Sequence, residues 1–249
     1  FARPTHAYHD LSPGLDFETK LFAKPGAADL LRATLAKPGY AVRPIAIGTN
    51  TDPYQPIERH YRISRSVLEL MAETRHPICV TTKSDRVLDD LDLLADLARD
   101  GLAAVAISVT TLDSALARIL EPRAAHPGRR LKAVAALVGA GVPTYVNIAP
   151  VIPAITDHEI EAIAAEAAAA GAKGISAIPL RLPHELASLF RDWLEVHYPD
   201  RAGKVMRIVQ ELRGGKDNDP AFFNRMRGRG PWADLLRTRL DIARRRYGF

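Results

Sequence analysis

Cysteine is almost absent from this sequence of 249 residues, which contains only Cys79. A single thiol excludes an internal disulfide framework and fits a reducing compartment, so we expect a cytoplasmic protein. Cys79 lies in a short apolar run, residues 76–80, where we expect a small, buried strand residue.

Long hydrophobic runs and the glycine patterns of nucleotide-binding folds are also missing. No apolar stretch reaches the length of about 18 residues that a membrane-spanning helix requires. No signal peptide is visible either, although the chain begins with Phe1 rather than Met. No GxGxxG or GxxxxGK[ST] motif follows an apolar run, which disfavours a Rossmann or P-loop fold.

The composition is that of a globular protein, with 47% hydrophobic and 25% charged residues. The length allows one α/β barrel domain or two smaller domains.

Positive charge is concentrated at the end of the chain. Residues 200–249 hold 13 Lys/Arg against 6 Asp/Glu, whereas residues 1–199 hold 21 against 23. This asymmetry indicates an anionic partner such as nucleic acid, although solvated helix faces give the same count.

Five short apolar runs alternate with amphipathic, helix-like stretches. The runs are residues 44–47, 78–82, 102–109, 143–149 and a segment within 172–182. Apolar strands alternating with helices predict a parallel sheet in a partial or full barrel. We expect Ser64 to cap one helix, and Thr156 and Glu159 to form a capping box on another. Residues 199–249 break the pattern and predict a helical extension.

Polar side chains follow the strands, at the edge where parallel βα units place their chemistry. One lysine, one arginine and two acids suit a ligand with an amine, a carboxylate and hydroxyls. Each also has an ordinary structural interpretation, such as a solvated Lys83 or an Arg181–Glu185 ion pair. The set comprises Thr49, Asn50, Asp52, Glu58, Thr82, Lys83, Ser84, Ser108, Thr110, Asn147 and Arg181.

Several motifs together resemble radical S-adenosylmethionine (SAM) proteins. They are FARPTH at residues 1–6, GTNTDPYQPIER at 48–59, TTKS at 81–84, SVTTLD at 108–113, LEPRAAHPGRRL at 120–131 and APVIP at 149–153. More closely, they resemble the spore photoproduct lyase-like branch, labelled DNA repair photolyases. The resemblance covers nearly the whole chain in the right order.

The resemblance implies a partial (β/α)6 barrel, of which the five units are the second to sixth. It also implies a [4Fe-4S] cluster and SAM as cofactors, and an electron donor such as flavodoxin or ferredoxin. The cluster is held by a CxxxCxxC loop after the first strand, which we expect just before Phe1. Cys79 cannot replace three clustered thiolates.

The same resemblance implies SAM-binding or substrate-binding roles for individual residues of this chain. Residues expected at the methionyl amino group are Thr49, Asn50 and Asp52. Lys83 is expected near the SAM carboxylate, assisted by Arg130 or Arg129, and Ser108 near the ribose. Val151, Ile152 and the backbone of residues 178–180 are expected along the adenine. Glu58 and Arg181 are candidate substrate contacts.

The expected reaction is reductive cleavage of SAM, giving a 5′-deoxyadenosyl radical that abstracts hydrogen from DNA or a nucleotide. One departure concerns the product radical, which spore photoproduct lyase quenches with a cysteine in the loop after the second barrel strand. Here that loop reads Thr49-Asn50-Thr51 and holds no thiol. A dimer-splitting lyase reaction is therefore in doubt, and neither Tyr54 nor Tyr145 is singled out as a substitute donor.

Two further functions remain open. The first is a barrel enzyme with Lys83 as a Schiff-base lysine. The second is a noncatalytic nucleic-acid-binding protein that uses the basic C-terminal segment. We expect a barrel domain at residues 1–198 and a helical extension at 199–249.

Overall fold

The computed structural model describes residues 3–249 as an α/β fold built on one parallel sheet. Phe1 and Ala2, the first residues of the FARPTH motif, lie outside the described part. The strands follow one another in the sheet in chain order, β1-β2-β3-β4-β5. Their bounds are β1 Ile45–Ile47, β2 Ile78–Thr82, β3 Ala103–Ser108, β4 Thr144–Val151 and β5 Gly174–Pro179.

The helices fall largely where the apolar periodicity predicts them, between and after the strands. Within residues 3–249 they are α1 Leu15–Thr19, α2 Ala27–Leu35, α3 Glu58–Tyr61, α4 Ile63–Thr74, α5 Leu91–Arg99, α6 Ser114–Leu120, α7 Pro127–Gly139, α8 Ile160–Ala169, α9 Leu186–His197, α10 Pro199–Leu212 and α11 Gly230–Tyr247. Short 3-10 helices span Arg3–His9, Asp85–Asp90 and Asp157–Glu159. The prediction of a parallel α/β fold ending in helices is confirmed.

Within residues 3–249, the two faces of strands β2 to β4 differ in exposure. Ile78 and Val80 of β2 are 1% exposed, and the register places Val80 beside the equally buried Val105 of β3. Successive strand residues point to opposite faces, so Cys79 points the other way. Its side chain is exposed, and the expectation of a buried thiol was therefore wrong. On the same face Tyr145 is 42% exposed.

The chain divides into two compact units. One comprises Phe22–Asn147 and Glu166–Ile175. In it α5 and α7 contact β3, and α4 contacts α2 and α5. Its core includes Leu68, Met71 and Leu94, all fully buried.

The second unit comprises Phe1–Leu21, Ile148–Ala165 and Ser176–Phe249. Here α10 contacts α9 and α11, and its buried residues include Val205 and Val209. The ring nitrogen Trp232 Nε1 donates to Asp157 Oδ2 at 3.4 Å. The predicted boundary between residues 198 and 199 stays a prediction.

Two predicted helix caps are wrong. Ser64 lies inside α4, where its hydroxyl donates to the Pro53 carbonyl at 2.5 Å. Thr156 Oγ1 accepts from the Ile152 amide at 2.8 Å and makes no cap, so no capping box forms with Glu159. In both cases a nearby backbone group binds the hydroxyl that the helix would need.

Candidate functional site

The site begins at Gly48, which directly follows β1. Its φ is +83°, and an added Cβ would lie 1.8 Å from the carbonyl oxygen of Thr81 in β2. Only glycine fits a left-handed conformation at such a close approach to another backbone. The loop after β1 therefore turns directly against the end of β2.

Asp52 fastens this loop to the one after β2. Its Oδ1 accepts from the Tyr54 amide at 2.9 Å and from Thr82 Oγ1 at 2.7 Å. Its Oδ2 accepts from the Lys83 amide at 2.7 Å. A carboxylate has about four acceptor positions, so these three bonds leave room for one further donor.

Glu121 binds two cations. Its Oε1 accepts from Lys83 Nζ and, at 2.8 Å, from Thr110 Oγ1. Its Oε2 accepts from Arg130 Nη2 at 2.7 Å. Burial alone raises the pKa of Glu121, but the charges of Lys83 and Arg130 outweigh it and lower the pKa to about 2. The carboxylate is therefore ionised at neutral pH.

Arg130 orients Glu121 from inside the core. It is 1% exposed, and besides Glu121 it donates to the carbonyl oxygens of Ala125 at 2.6 Å and Ser108 at 3.0 Å. Arg129 instead pairs with Asp85 and is largely exposed. The hydroxyl of Ser108, the residue predicted at the ribose, has no hydrogen-bond partner within residues 3–249.

One hydrogen-bonded chain thus links the ends of three neighbouring strands. It runs from Asp52 after β1, through Lys83 after β2, to Glu121, Arg130 and Ser108 at the end of β3. The structure brings together four of the residues predicted to bind SAM, with Thr82 and Thr110 hydrogen-bonded to them. Glu121 is the member that the sequence analysis missed, although it lies within the quoted LEPRAAHPGRRL motif.

The other candidates after β1 have different surroundings. Thr49 and Asn50 are exposed. Glu58 Oε2 accepts from the Ser64 amide at 2.9 Å and so satisfies a free donor at the start of α4. This contact gives Glu58 a structural role, and its contact with substrate stays a prediction.

Glu58 also lines a cleft of about 310 Å³. Within it Tyr54 donates to Asp90 Oδ2 at 3.0 Å, and Arg65 donates to Asp90 Oδ1 at 3.0 Å. Burial and the neighbouring carboxylates raise the pKa of Tyr54. The remaining lining residues are Arg59, Arg62, Arg86 and Asp89.

Three candidates belong to the second compact unit. Val151 and Ile152, predicted along the adenine, are fully buried. The Val151 carbonyl accepts from the Leu180 amide at 2.9 Å. Arg181 lies just after β5, and its Nη1 is 3.4 Å from Met226 Sδ. The alternative interpretation of Arg181, an ion pair with Glu185, is not formed among the described residues, where Arg181 binds Met226 instead.

Residues 3–249 contain no group of three or more His, Cys, Asp or Glu side chains that could hold a metal ion. A [4Fe-4S] cluster therefore has no ligand set in the described part of the chain. Cysteine ligands before Phe1 stay a prediction.

For SAM the described residues do fit. Lys83 Nζ carries three N–H groups and uses two, on Thr110 and Glu121. One remaining donor on Lys83 and one remaining acceptor position on Asp52 match the carboxylate and ammonium groups of an amino acid. The open face of the sheet beside them carries small side chains, with Ala46 paired to Cys79 and Cys79 to Ala104.

None of the helices within residues 3–249 has the length and apolar character needed to cross a membrane.

Comparison with known proteins gives consistent results. The Radical SAM superfamily model matches residues 28–167. The uncharacterized protein Rv2578c of Mycobacterium tuberculosis is 34% identical over 231 residues, which are 92% of this chain and 67% of that protein. The uncharacterized protein MJ0683 of Methanocaldococcus jannaschii is 29% identical over 115 residues, or 46% of this chain and 43% of that protein.

Among solved structures, a mutant of spore photoproduct lyase superposes with a TM-score of 0.55 at 15% identity, over 88% of this chain and 62% of that one. At this identity the match shows the fold, a radical SAM partial barrel. The chain spans less than two thirds of the solved lyase. Members of the superfamily use a [4Fe-4S] cluster and SAM as cofactors. From the match over residues 28–167, the chain belongs to the radical SAM superfamily.

Proposed function

We propose that the protein binds the methionyl end of SAM between the loops after β1 and β2, and acts as a radical SAM enzyme on DNA or a nucleotide. The proposed binding of the methionyl end is supported by the hydrogen-bonded pair Asp52 and Lys83. The Lys83 amide lies 2.7 Å from Asp52 Oδ2, and each side chain keeps one hydrogen-bonding position for a ligand.

In this proposal Lys83 donates to the ligand carboxylate and Asp52 accepts from its ammonium group. Glu121 and Thr110 hold the Lys83 side chain in place, so little conformational entropy is lost when the ligand binds. The free Ser108 hydroxyl is available to a ribose. When bound, the cluster and SAM supply reductive cleavage to a radical that abstracts hydrogen.

The charge distribution supports a nucleic-acid substrate, since residues 200–249 carry 13 Lys/Arg against 6 Asp/Glu. A solved neighbour, spore photoproduct lyase, is also known in complex with a dinucleoside spore photoproduct. We propose no lyase step for this chain because the loop after β1 carries no thiol. Tyr54 is buried and donates to Asp90, which makes it a poor substitute hydrogen donor.

The Schiff-base alternative receives less support. A Schiff base forms from a neutral amine, whereas the Lys83 ammonium is paired with the carboxylate of Glu121. This pairing favours a role for Lys83 in holding an anionic group.

The test uses the full-length protein, reconstituted anaerobically with iron and sulfide, then supplied with dithionite and SAM. We expect 5′-deoxyadenosine, and we expect DNA to stimulate its formation. Lys83→Met should weaken SAM binding by about 10-fold or more, because hydrogen bonds to charged groups contribute roughly 1.5–3 kcal/mol. Lys132→Met is the matched control, since Lys132 is exposed on α7.

Equal SAM affinity in the Lys83 and Lys132 variants would overturn the assigned site. Absence of 5′-deoxyadenosine from a fully reconstituted protein would overturn the radical reaction. Formation of 5′-deoxyadenosine that DNA leaves unchanged would overturn only the proposed substrate.

A further inference from the structure

Three arginines cluster near the carboxyl end of β5, all within the second compact unit. Arg181 follows the strand by two residues, Arg213 directly follows α10, and Arg225 lies in the loop between α10 and α11. The site described above uses none of their guanidinium groups.

Arg213 is a buried cation without a carboxylate partner. It is 2% exposed, and its Nη atoms donate to four backbone carbonyls, at 2.8 Å to Leu180, 2.9 Å to Arg225, 3.2 Å to Asn224 and 3.5 Å to Pro179. Buried charges in proteins are normally paired with an opposite charge. Asp219, the acid whose charge acts on Arg213, is already bound to Arg229 at 2.9 Å.

The cluster also has unused donors. The Nε groups of Arg181, Arg213 and Arg225 are each buried without a hydrogen-bond partner. Among the described residues, the hydrogen-bond partner of the Arg181 side chain is the thioether of Met226, which is a weak acceptor. Burial and the charge of Arg225 lower the pKa of Arg181, and burial and the charge of Arg181 lower that of Arg213. These cations repel one another and lack a shared anion.

Two exposed aromatic rings lie beside the cluster. Phe222 and Phe223 are 69% and 85% exposed, and their ring centroids are 5.4 Å apart with the planes nearly perpendicular. The guanidinium of Arg225 lies 4.7 Å from the centre of the Phe222 ring. Solvent-exposed phenylalanines beside arginines are the combination with which proteins bind unpaired bases and the adjoining phosphates.

We propose that Arg181 and Arg225 bind a phosphate of a single-stranded nucleic acid, with a neighbouring base stacked on Phe222 or Phe223. Arg213 contributes a fixed positive charge and holds the loop through its bonds to the Asn224 and Arg225 carbonyls. The guanidinium groups supply the planar, multiple donors that phosphate oxygens accept. A single strand is favoured because a duplex keeps its bases stacked and leaves none for the two rings.

This site would select single-stranded nucleic acid as the substrate of the proposed enzyme. Turnover of that substrate rests on the proposed function, whereas its binding does not. Binding requires neither the cluster nor SAM. The full-length protein is titrated with a fluorescein-labelled oligodeoxythymidylate of about ten nucleotides, a length within the usual range of such sites. A duplex of the same length and an abasic strand of the same charge are measured beside it.

We expect Arg181→Gln and Arg225→Gln each to weaken single-strand binding about 10-fold, and to reduce the slope of log affinity against log salt by about 0.7 each. Arg245→Gln removes the same charge from an exposed position on α11 and should change affinity less than 2-fold, roughly the effect of one distant, screened charge. Phe222→Ala with Phe223→Ala should weaken the thymidylate about 10-fold and leave the abasic strand unaffected.

Equal losses in the Arg181, Arg225 and Arg245 variants would show that only diffuse charge acts, and would overturn the site. Equal affinity for the abasic strand, the duplex and the thymidylate would overturn the stacking step and the single-strand assignment. Because Arg213→Gln removes four internal hydrogen bonds and risks unfolding, the test uses the two partly exposed arginines instead. A protein that binds the strand but makes no 5′-deoxyadenosine would contradict the proposed reaction while supporting this site.

Discussion

Replacement of Glu121 by Gln tests the charge arrangement at the centre of the site. The carboxylate is 10% exposed and faces Lys83 and Arg130. Its pKa of about 2 against an ordinary 4.5 corresponds to about 3 kcal/mol of preference for the ionised form in the folded protein. Removal of one partner of a buried ion pair costs a similar amount, roughly 3–5 kcal/mol.

We therefore expect Glu121→Gln to lower the free energy of unfolding by about 3 kcal/mol at pH 7. For a chain of this length that corresponds to a fall in melting temperature of roughly 6–12 °C. The measurement is urea unfolding followed by circular dichroism. Glu195→Gln, at an exposed position on α9, is the control and should change stability by less than about 0.5 kcal/mol.

The pH dependence gives a second readout. Because folding lowers the pKa of Glu121, its contribution to stability is fully present above about pH 4.5 and is lost as pH falls towards 2. The stability difference between wild type and Glu121→Gln should shrink across this interval. A difference that stays constant from pH 5 to about pH 2.5, or a variant as stable as the Glu195 control, would refute the assignment of a compensating charge.

Two further predictions concern the surroundings of the site. Gly48→Ala should destabilise the protein by at least about 1–2 kcal/mol, because the φ of +83° is strained for alanine and its Cβ would lie against the Thr81 carbonyl. Gly203→Ala, inside α10 and with nothing within 4 Å of an added Cβ, should not destabilise the protein, and urea unfolding compares the two. Cys79 is exposed on the sheet, so the native protein should react with one equivalent of Ellman's reagent within minutes. Reaction only after addition of denaturant would show that this face is covered.

Apolar periodicity predicted the strands closely because short runs bounded by Pro and Gly have few alternative structures. Strand β2 lies at Ile78–Thr82, as predicted. The same reasoning failed for Cys79, since an apolar run does not show whether helices cover one face of a sheet or both. The predicted helix caps by hydroxyl side chains were also wrong. Ser64 and Thr156 sit at the expected helix starts, but neighbouring backbone groups bind their side chains.

The site was predictable where it depends on strand ends and unpredictable where it depends on a loop. Asp52 lies in the loop after β1 and Lys83 directly follows β2, so the parallel pairing of these two neighbouring strands brings them together. Glu121 follows α6, and its approach to Lys83 depends on the path of the chain from α6 to α7. No spacing in the sequence encodes that path, so the acid that fixes the lysine could not be identified from the sequence.

Glu121 also determines how much anionic charge the site can accept. Lys83 and Arg130 together carry two positive charges, and the ionised Glu121 leaves a net charge of about +1. One ligand carboxylate neutralises that remainder. Because Arg130 is buried and fully turned towards internal acceptors, the ligand reaches the positive charge only through Lys83. Without Glu121 the lysine side chain would keep only its bond to Thr110, and the buried guanidinium would lack a counter-ion. Glu121 and the ligand carboxylate both accept from Lys83, and it is Glu121 that holds Lys83 in position for the ligand.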